Sequence, residues 1–144
     1  MSAKRTAWQQ AEISTAYALR HRGVKCRNVG HKYLPWDVET RSGIRIEVKD
    51  SELHRGLWAI NLQRWRRKSV GVGKPDFYVI ALRGITGFHG VTTRLWVILD
   101  AKKFRKKKFL RWTLRSLLTL HARDIGAWEK ILRVDRRKRH ATLR

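Results

Sequence analysis

The sequence predicts an α/β domain, a mixed sheet covered by helices, followed by a basic helical segment. Three patterns carry that expectation. An amphipathic stretch near the N-terminus stops at a glycine, and alternating or continuous apolar runs of strand length fill the middle. From Phe109 onward, leucines recur at helical spacing. A chain of 144 residues is expected to form one domain with a proper core. The core is placed at about residues 6–101 and the basic extension at about 102–144.

Taken in order, residues 6–22 read as a helix. Ala7, Ala11, Tyr17 and Ala18, with Trp8, Ile13 and Leu19, are compatible with helical spacing, and Gly23 ends it. Val24 to Val29 has the length of a short strand, and Gly30 to Pro35 is a connection. The next stretch, PWDVETRSGIRIEVK, carries a β-hairpin signal. Ile44, Ile46 and Val48 alternate with Arg45, Glu47 and Lys49, the period of a half-buried strand. A three-residue loop Arg41-Ser42-Gly43 places glycine where such loops favour positive φ. That register sets Thr40 opposite Ile44, Glu39 opposite Arg45 and Asp37 opposite Glu47. Asp37, Glu47 and Lys49 then share one face while the aliphatic residues enter the core.

Leu57 to Leu62 is a weaker strand candidate, and Arg64 to Gly73 reads as a basic loop. Phe77 to Leu82 and Leu95 to Leu99 are continuous apolar runs suited to strands covered on both faces, with residues 83–94 as the loop between them. Leu110, Leu114, Leu117 and Leu118 form one helical stripe. A second short helix is expected from Asp124, as N-cap, to about Val134.

The charge narrows the partner. Thirty-four Lys and Arg against 11 Asp and Glu give +23, a self-repulsion that opposes folding unless a polyanion is the partner. Nucleic acid comes first, since cations along its phosphates release condensed counterions. A membrane comes second, without the long apolar run or clean lipid face it requires. One cysteine, Cys26, excludes internal disulfides. Six scattered histidines give no zinc-ligand spacing, and no signal peptide is visible. A cytoplasmic location, at the nucleoid in a prokaryote, is expected.

Carboxylates are scarce in this chain, so their grouping in the hairpin calls for a cause. Two carboxylates on one sheet face, with a lysine two positions along, suit metal-assisted phosphodiester cleavage. Mg²⁺ takes oxygen ligands and needs only one or two carboxylates beside substrate phosphate, and Mn²⁺ is expected to substitute. Within a DNA-binding surface such acids repel the substrate unless a cation joins them.

Asp37, followed after nine residues by Glu47-Val48-Lys49, resembles the core signature of the PD-(D/E)XK nuclease superfamily. Small prokaryotic members such as Holliday-junction resolvases and homing or restriction-like endonucleases are the nearest in pattern, over about residues 8–100. The resemblance implies a restriction-endonuclease-like core and a Mg²⁺-dependent DNA endonuclease. It further implies metal ligation by the Asp37 and Glu47 side chains and the Val48 carbonyl, and a nucleophile positioned by Lys49. Glu12, on the preceding helix, would assist through water. The family's Pro-Asp is here Pro35-Trp36-Asp37, with a tryptophan inserted. A rival assignment uses Pro75-Asp76 and Asp100-Ala101-Lys102, with the two aspartates opposed if the flanking runs pair about Phe88. Both aspartates lie at strand ends, which favours the first assignment.

Plainer roles compete for several of these residues. Glu39 is expected to pair with Arg45. Asp37 and Glu47 in a merely salt-bridged hairpin would pair with Arg45 and Lys49, weakly at a surface. Trp58, Trp96 and Trp112 are expected in the core. In Arg64-Trp65-Arg66-Arg67-Lys68, an aromatic among cations suits base stacking beside phosphate contacts. Arg105, Lys108, Arg111 and Arg115 recur at helix-like spacing and would line a phosphate backbone. Arg136 to His140 reads as a flexible electrostatic arm. Gln63 and His31 are lesser candidates for the site. Cutting both strands implies a homodimer. The competing class is a basic DNA- or RNA-binding protein without catalysis, which accounts for the charge but not for the face shared by Asp37 and Glu47.

Overall fold

The computed structural model describes residues 5–29, 36–62, 74–86 and 92–142. Among them, α1 (Ala7–His21) opens with a capping box. The Thr6 hydroxyl accepts from Gln9 N, and the Gln9 side chain accepts from Thr6 N. Gly23, at φ +86°, releases the chain at its C-terminus. The helix buries a narrow stripe of Ala11, Thr15, Ala16 and Leu19, whereas Trp8, Ile13 and Tyr17 stay at the surface. Small residues let the helix lie close on the sheet.

Five strands form that sheet in the order β1-β2-β3-β5-β6. They are β1 (Cys26–Asn28), β2 (Val38–Thr40), β3 (Arg45–Glu52), β5 (Phe77–Thr86) and β6 (Thr92–Asp100). β3 and β5 run parallel and the other pairs antiparallel, so the sheet is mixed, as expected. The hairpin register is also the expected one. Glu39 stands opposite Arg45, Thr40 N donates to Ile44 O, and Gly43 turns the loop at φ +96°.

A separate two-stranded ribbon pairs β4 (Trp58–Asn61) with β7 (Phe109–Trp112). Each sheet face has its own core. Ile44, Ile46, Val48, Val79 and Ile98 pack against α1 and against Trp128 and Ile131. Tyr78, Ile80, Leu82, Val97 and Leu99 pack beneath the ribbon with Trp58, Ile60, Leu110, Trp112 and Leu117. β5 is therefore buried on both faces, which explains its unbroken apolar run. Trp58 and Trp112 are core residues, and Trp96 is partly buried against Trp128.

Four expectations are corrected. Residues 83–94 are not simply a loop, because β5 continues to Thr86 and β6 begins at Thr92. Gly84, at φ +102°, marks a register shift there, not a strand end. Phe109 to Trp112 is a strand, since Leu110 and Trp112 alternate inward with period two. Only at Leu114, after the Thr113 cap, does α2 (Leu114–Leu120) start. Arg136 to His140 is not a loose arm but belongs to α3 (Glu129–Thr142). Asp124 does not cap that helix. It closes a short 3-10 turn and accepts from His121 and Lys130. What holds α3 is Asp135, nearly fully buried, whose carboxylate accepts from Ser42 Oγ at 2.5 Å and pairs with Arg139 at 3.0 Å. No helix among the described residues is long and apolar enough to cross a membrane.

Candidate active site

The site forms beside the start of β2, where β3 continues past it while pairing with β5 on its other side. Asp37 is the last residue before β2, and its main-chain N–H donates to Ile46 O at 2.8 Å. Its side chain then replaces the missing strand, with Oδ2 accepting from Val48 N at 2.7 Å. These two bonds bracket Glu47, so Asp37 sits across from it, as the hairpin register requires. A strand residue presents N–H and C=O to the same edge, so the Val48 carbonyl lies along this edge too.

Glu47 and Lys49 project from the ribbon face of the sheet. Their parallel partners on β5 are Tyr78 and Ile80, both in the core beneath the ribbon. Lys49 Nζ lies 2.7 Å from Glu47 Oε1, and both side chains are only 12 % exposed. Glu12 arrives from α1 on the other side, round the edge that β2 leaves open, and hydrogen-bonds Asp37. Burial, the Asp37 charge and that hydrogen bond push the Glu12 carboxyl up to about 8. Like charges this close cannot both ionise cheaply, so Glu12 holds a proton at neutrality.

All four residues named as catalytic, Asp37, Glu47, Lys49 and Glu12, thus meet at one edge. The plainer hairpin pairing is half present. Glu47 does bind Lys49, but Arg45 instead lies over the Trp36 ring, 4.3 Å from its centroid. The inserted Trp36 is thereby a buried platform under Arg45. Glu39 does not pair with Arg45 as expected. It pairs instead with Arg27 on the neighbouring strand, at 3.9 Å.

The rival residues have structural duties. Asp76 Oδ2 accepts from Arg45 N at 2.9 Å, and Asp100 Oδ1 caps Lys102 N at 3.1 Å. Asp100 pairs with Phe77 and not with Asp76, one position off the alignment the rival requires. Of the cationic candidates, Arg105, Lys108, Arg111 and Arg115 are all exposed but do not share a helix. Arg105 and Lys108 precede β7, Arg111 lies on β7, and Arg115 lies on α2. Arg64, Trp65, Arg66, Arg67 and Lys68, with Gln63 and His31, lie outside the described residues.

The donor set suits a hard divalent cation. The Asp37 and Glu47 carboxylates and the Val48 carbonyl are all oxygen donors, the type Mg²⁺ takes, and a Mg²⁺ site needs few of them from protein. No group of three or more His, Cys, Asp or Glu side chains that could hold a metal ion occurs among the described residues.

No protein-family model matches the sequence, and no curated protein is detectably similar to it. Among solved structures, the chain is similar to a bacterial homing endonuclease, I-Ssp6803I. The TM-score is 0.62 at 14 % identity, over 93 % of this chain and 96 % of that one. The likeness shows a shared fold: a mixed α/β architecture, endonuclease-like, with a central mixed sheet flanked by helices.

Proposed function

We propose that the protein is a divalent-metal-dependent DNA endonuclease of the PD-(D/E)XK type. The observation that carries this reading is the convergence of Glu12, Asp37, Glu47 and Lys49 beside the start of β2, with Glu12 driven to hold a proton. Carboxylates buried close together cost energy, and a bound cation would offset that cost. The fold shared with a homing endonuclease supports the same class of reaction.

Asp37, Glu47 and the Val48 carbonyl would hold Mg²⁺ or Mn²⁺. The chemistry the ion supplies when bound is a more acidic water and neutralisation of charge on the phosphate oxygens. Val48 N–H fixes the Asp37 carboxylate in direction, so it is set before substrate arrives. Lys49 is held beside Glu47 and moves onto the nucleophile or a phosphate oxygen as a point charge. The protonated Glu12 donates a hydrogen bond to the Asp37 carboxylate and would assist through water. Cutting both strands of a duplex then requires two such sites, most simply from a two-fold pair of chains.

The test is cleavage of supercoiled plasmid, linear duplex and a four-way junction, with and without Mg²⁺ or Mn²⁺. Metal-dependent cutting that falls about 1000-fold in Glu47→Ala and about 100-fold in Lys49→Ala, with DNA binding retained, is expected. Tight binding with no cutting of any substrate by wild type would replace the nuclease with a non-catalytic DNA-binding protein. The substrate cut best decides between junction resolution and duplex cleavage.

A further inference from the structure

We infer that the β4–β7 ribbon is a sequence-reading element that enters the DNA major groove, with Asn61 and Arg111 reading base edges. The inference rests on the DNA-directed reading above and adds specificity to it. The inner face of the ribbon, Trp58, Ile60, Leu110 and Trp112, is spent on the core. The outer face presents Ala59 opposite Arg111 and Asn61 opposite Phe109, all exposed.

Lysine and carboxylate, the residues of a merely solvated face, are missing from these four positions. Each residue present has a base-edge partner instead. Arginine bonds guanine in a bidentate fork and asparagine does the same with adenine, while alanine and phenylalanine contact the thymine methyl. Phe109 is 52 % exposed, one of several large apolar side chains at the surface.

The dimensions agree. Two paired strands are about 5 Å apart, and four residues span about 13 Å, within a major groove about 12 Å wide and along about four base pairs. The flanks carry the charge such docking requires. Leu62 N bonds Lys108 O at 2.9 Å at one end of the ribbon, and exposed Arg105 and Lys106 lead into that end. The ribbon also adjoins the catalytic edge. Ser51, two residues beyond Lys49 on the same face of β3, donates to Ala59 O at 3.0 Å. A duplex with a phosphate at Lys49 therefore meets the ribbon along the same sheet face. Arg111, assigned from spacing alone to the phosphate backbone, becomes a base reader.

The experiment selects bound duplexes from a pool with a randomised core, using the full chain, Asn61→Ala, Arg111→Ala and Arg115→Ala. Circular dichroism confirms that each variant is folded. Wild type is expected to enrich a motif. Asn61→Ala should lose preference at an A·T position and Arg111→Ala at a G·C position, each by about 5- to 100-fold. Arg115→Ala should weaken all sequences alike. Binding without any motif, or a motif unchanged by both ribbon variants, overturns the inference. Cleavage of the selected duplex with metal is scored separately. A ribbon-dependent motif without cleavage overturns the catalytic reading alone, and cleavage without a motif overturns the ribbon alone.

Discussion

Asp37 has two duties, one structural and one chemical. Its Oδ2 closes the Val48 N–H that β2 leaves open, and the same carboxyl crowds Glu12. The consequence is measurable without substrate. A Glu12 held at about 8 in the fold, against an ordinary 4.5, keeps a proton that the unfolded chain releases. Its contribution to stability is fully present below pH 4.5 and is lost as pH rises through about 8. Glu12→Gln keeps a hydrogen-bonding side chain that cannot ionise. Thermal melts of the metal-free protein should show the variant gaining on wild type from about pH 5 to about pH 9, by an amount solvent screening keeps modest. Equal pH profiles would place Glu12 in solvent. The pairing of Asp37 with Glu47 was legible in the sequence because Gly43 and the alternation of Ile44, Ile46 and Val48 determine the register. The convergence of Glu12 was legible only by resemblance, because no local spacing ties a helix residue to a sheet edge 25 positions away. Nor did any pattern foretell that Arg45 would leave Glu39 for the face of Trp36.

Where elements meet, single atoms set the geometry. At Gly84 an added Cβ would stand 2.7 Å from Leu53 Cβ, and the backbone is already at φ +102°. Gly84→Ala should cost about 2 kcal/mol in urea denaturation, and a cost near zero would mean the bulge relaxes freely. Ser42 in the hairpin turn and Asp135 on α3 join the two ends of the chain. Ser42→Ala leaves a buried carboxylate short of a donor and should cost about 1–3 kcal/mol, seen as a lower denaturation midpoint. The hairpin and the β5 core were legible because their patterns admit one reading. Phe109 to Trp112 was not, because Leu110 fits both a leucine stripe and an alternating strand. Its partner β4 lies about 50 residues earlier, so no local signal arbitrates. α3 was read too short because its basic half looks unfoldable alone, although Asp135 and Ile131 anchor it.

A net charge of +23 on a domain with two separate cores makes the whole protein sensitive to salt. Screening of self-repulsion should raise the melting temperature of the DNA-free protein as NaCl increases, while the same salt weakens DNA binding. With about six phosphates neutralised, affinity should fall about 1000-fold between about 50 and 200 mM salt, measured by fluorescence anisotropy. A flat salt response would assign the charge to something other than a phosphate backbone. The sheet contributes a different kind of dependence. Between β4 and β7 in sequence lies the β5–β6 pair, so the ribbon joins strands far apart along the chain. Long-range pairing of this kind comes late, after the loop-closure cost has been met. The ribbon is therefore not a detachable hairpin that could be grafted or could act during synthesis. A chain still emerging from the ribosome, or one cut before Phe109, holds only one of its strands. If the ribbon reads DNA as proposed, selective contact becomes a certificate of complete folding, withheld from every fragment.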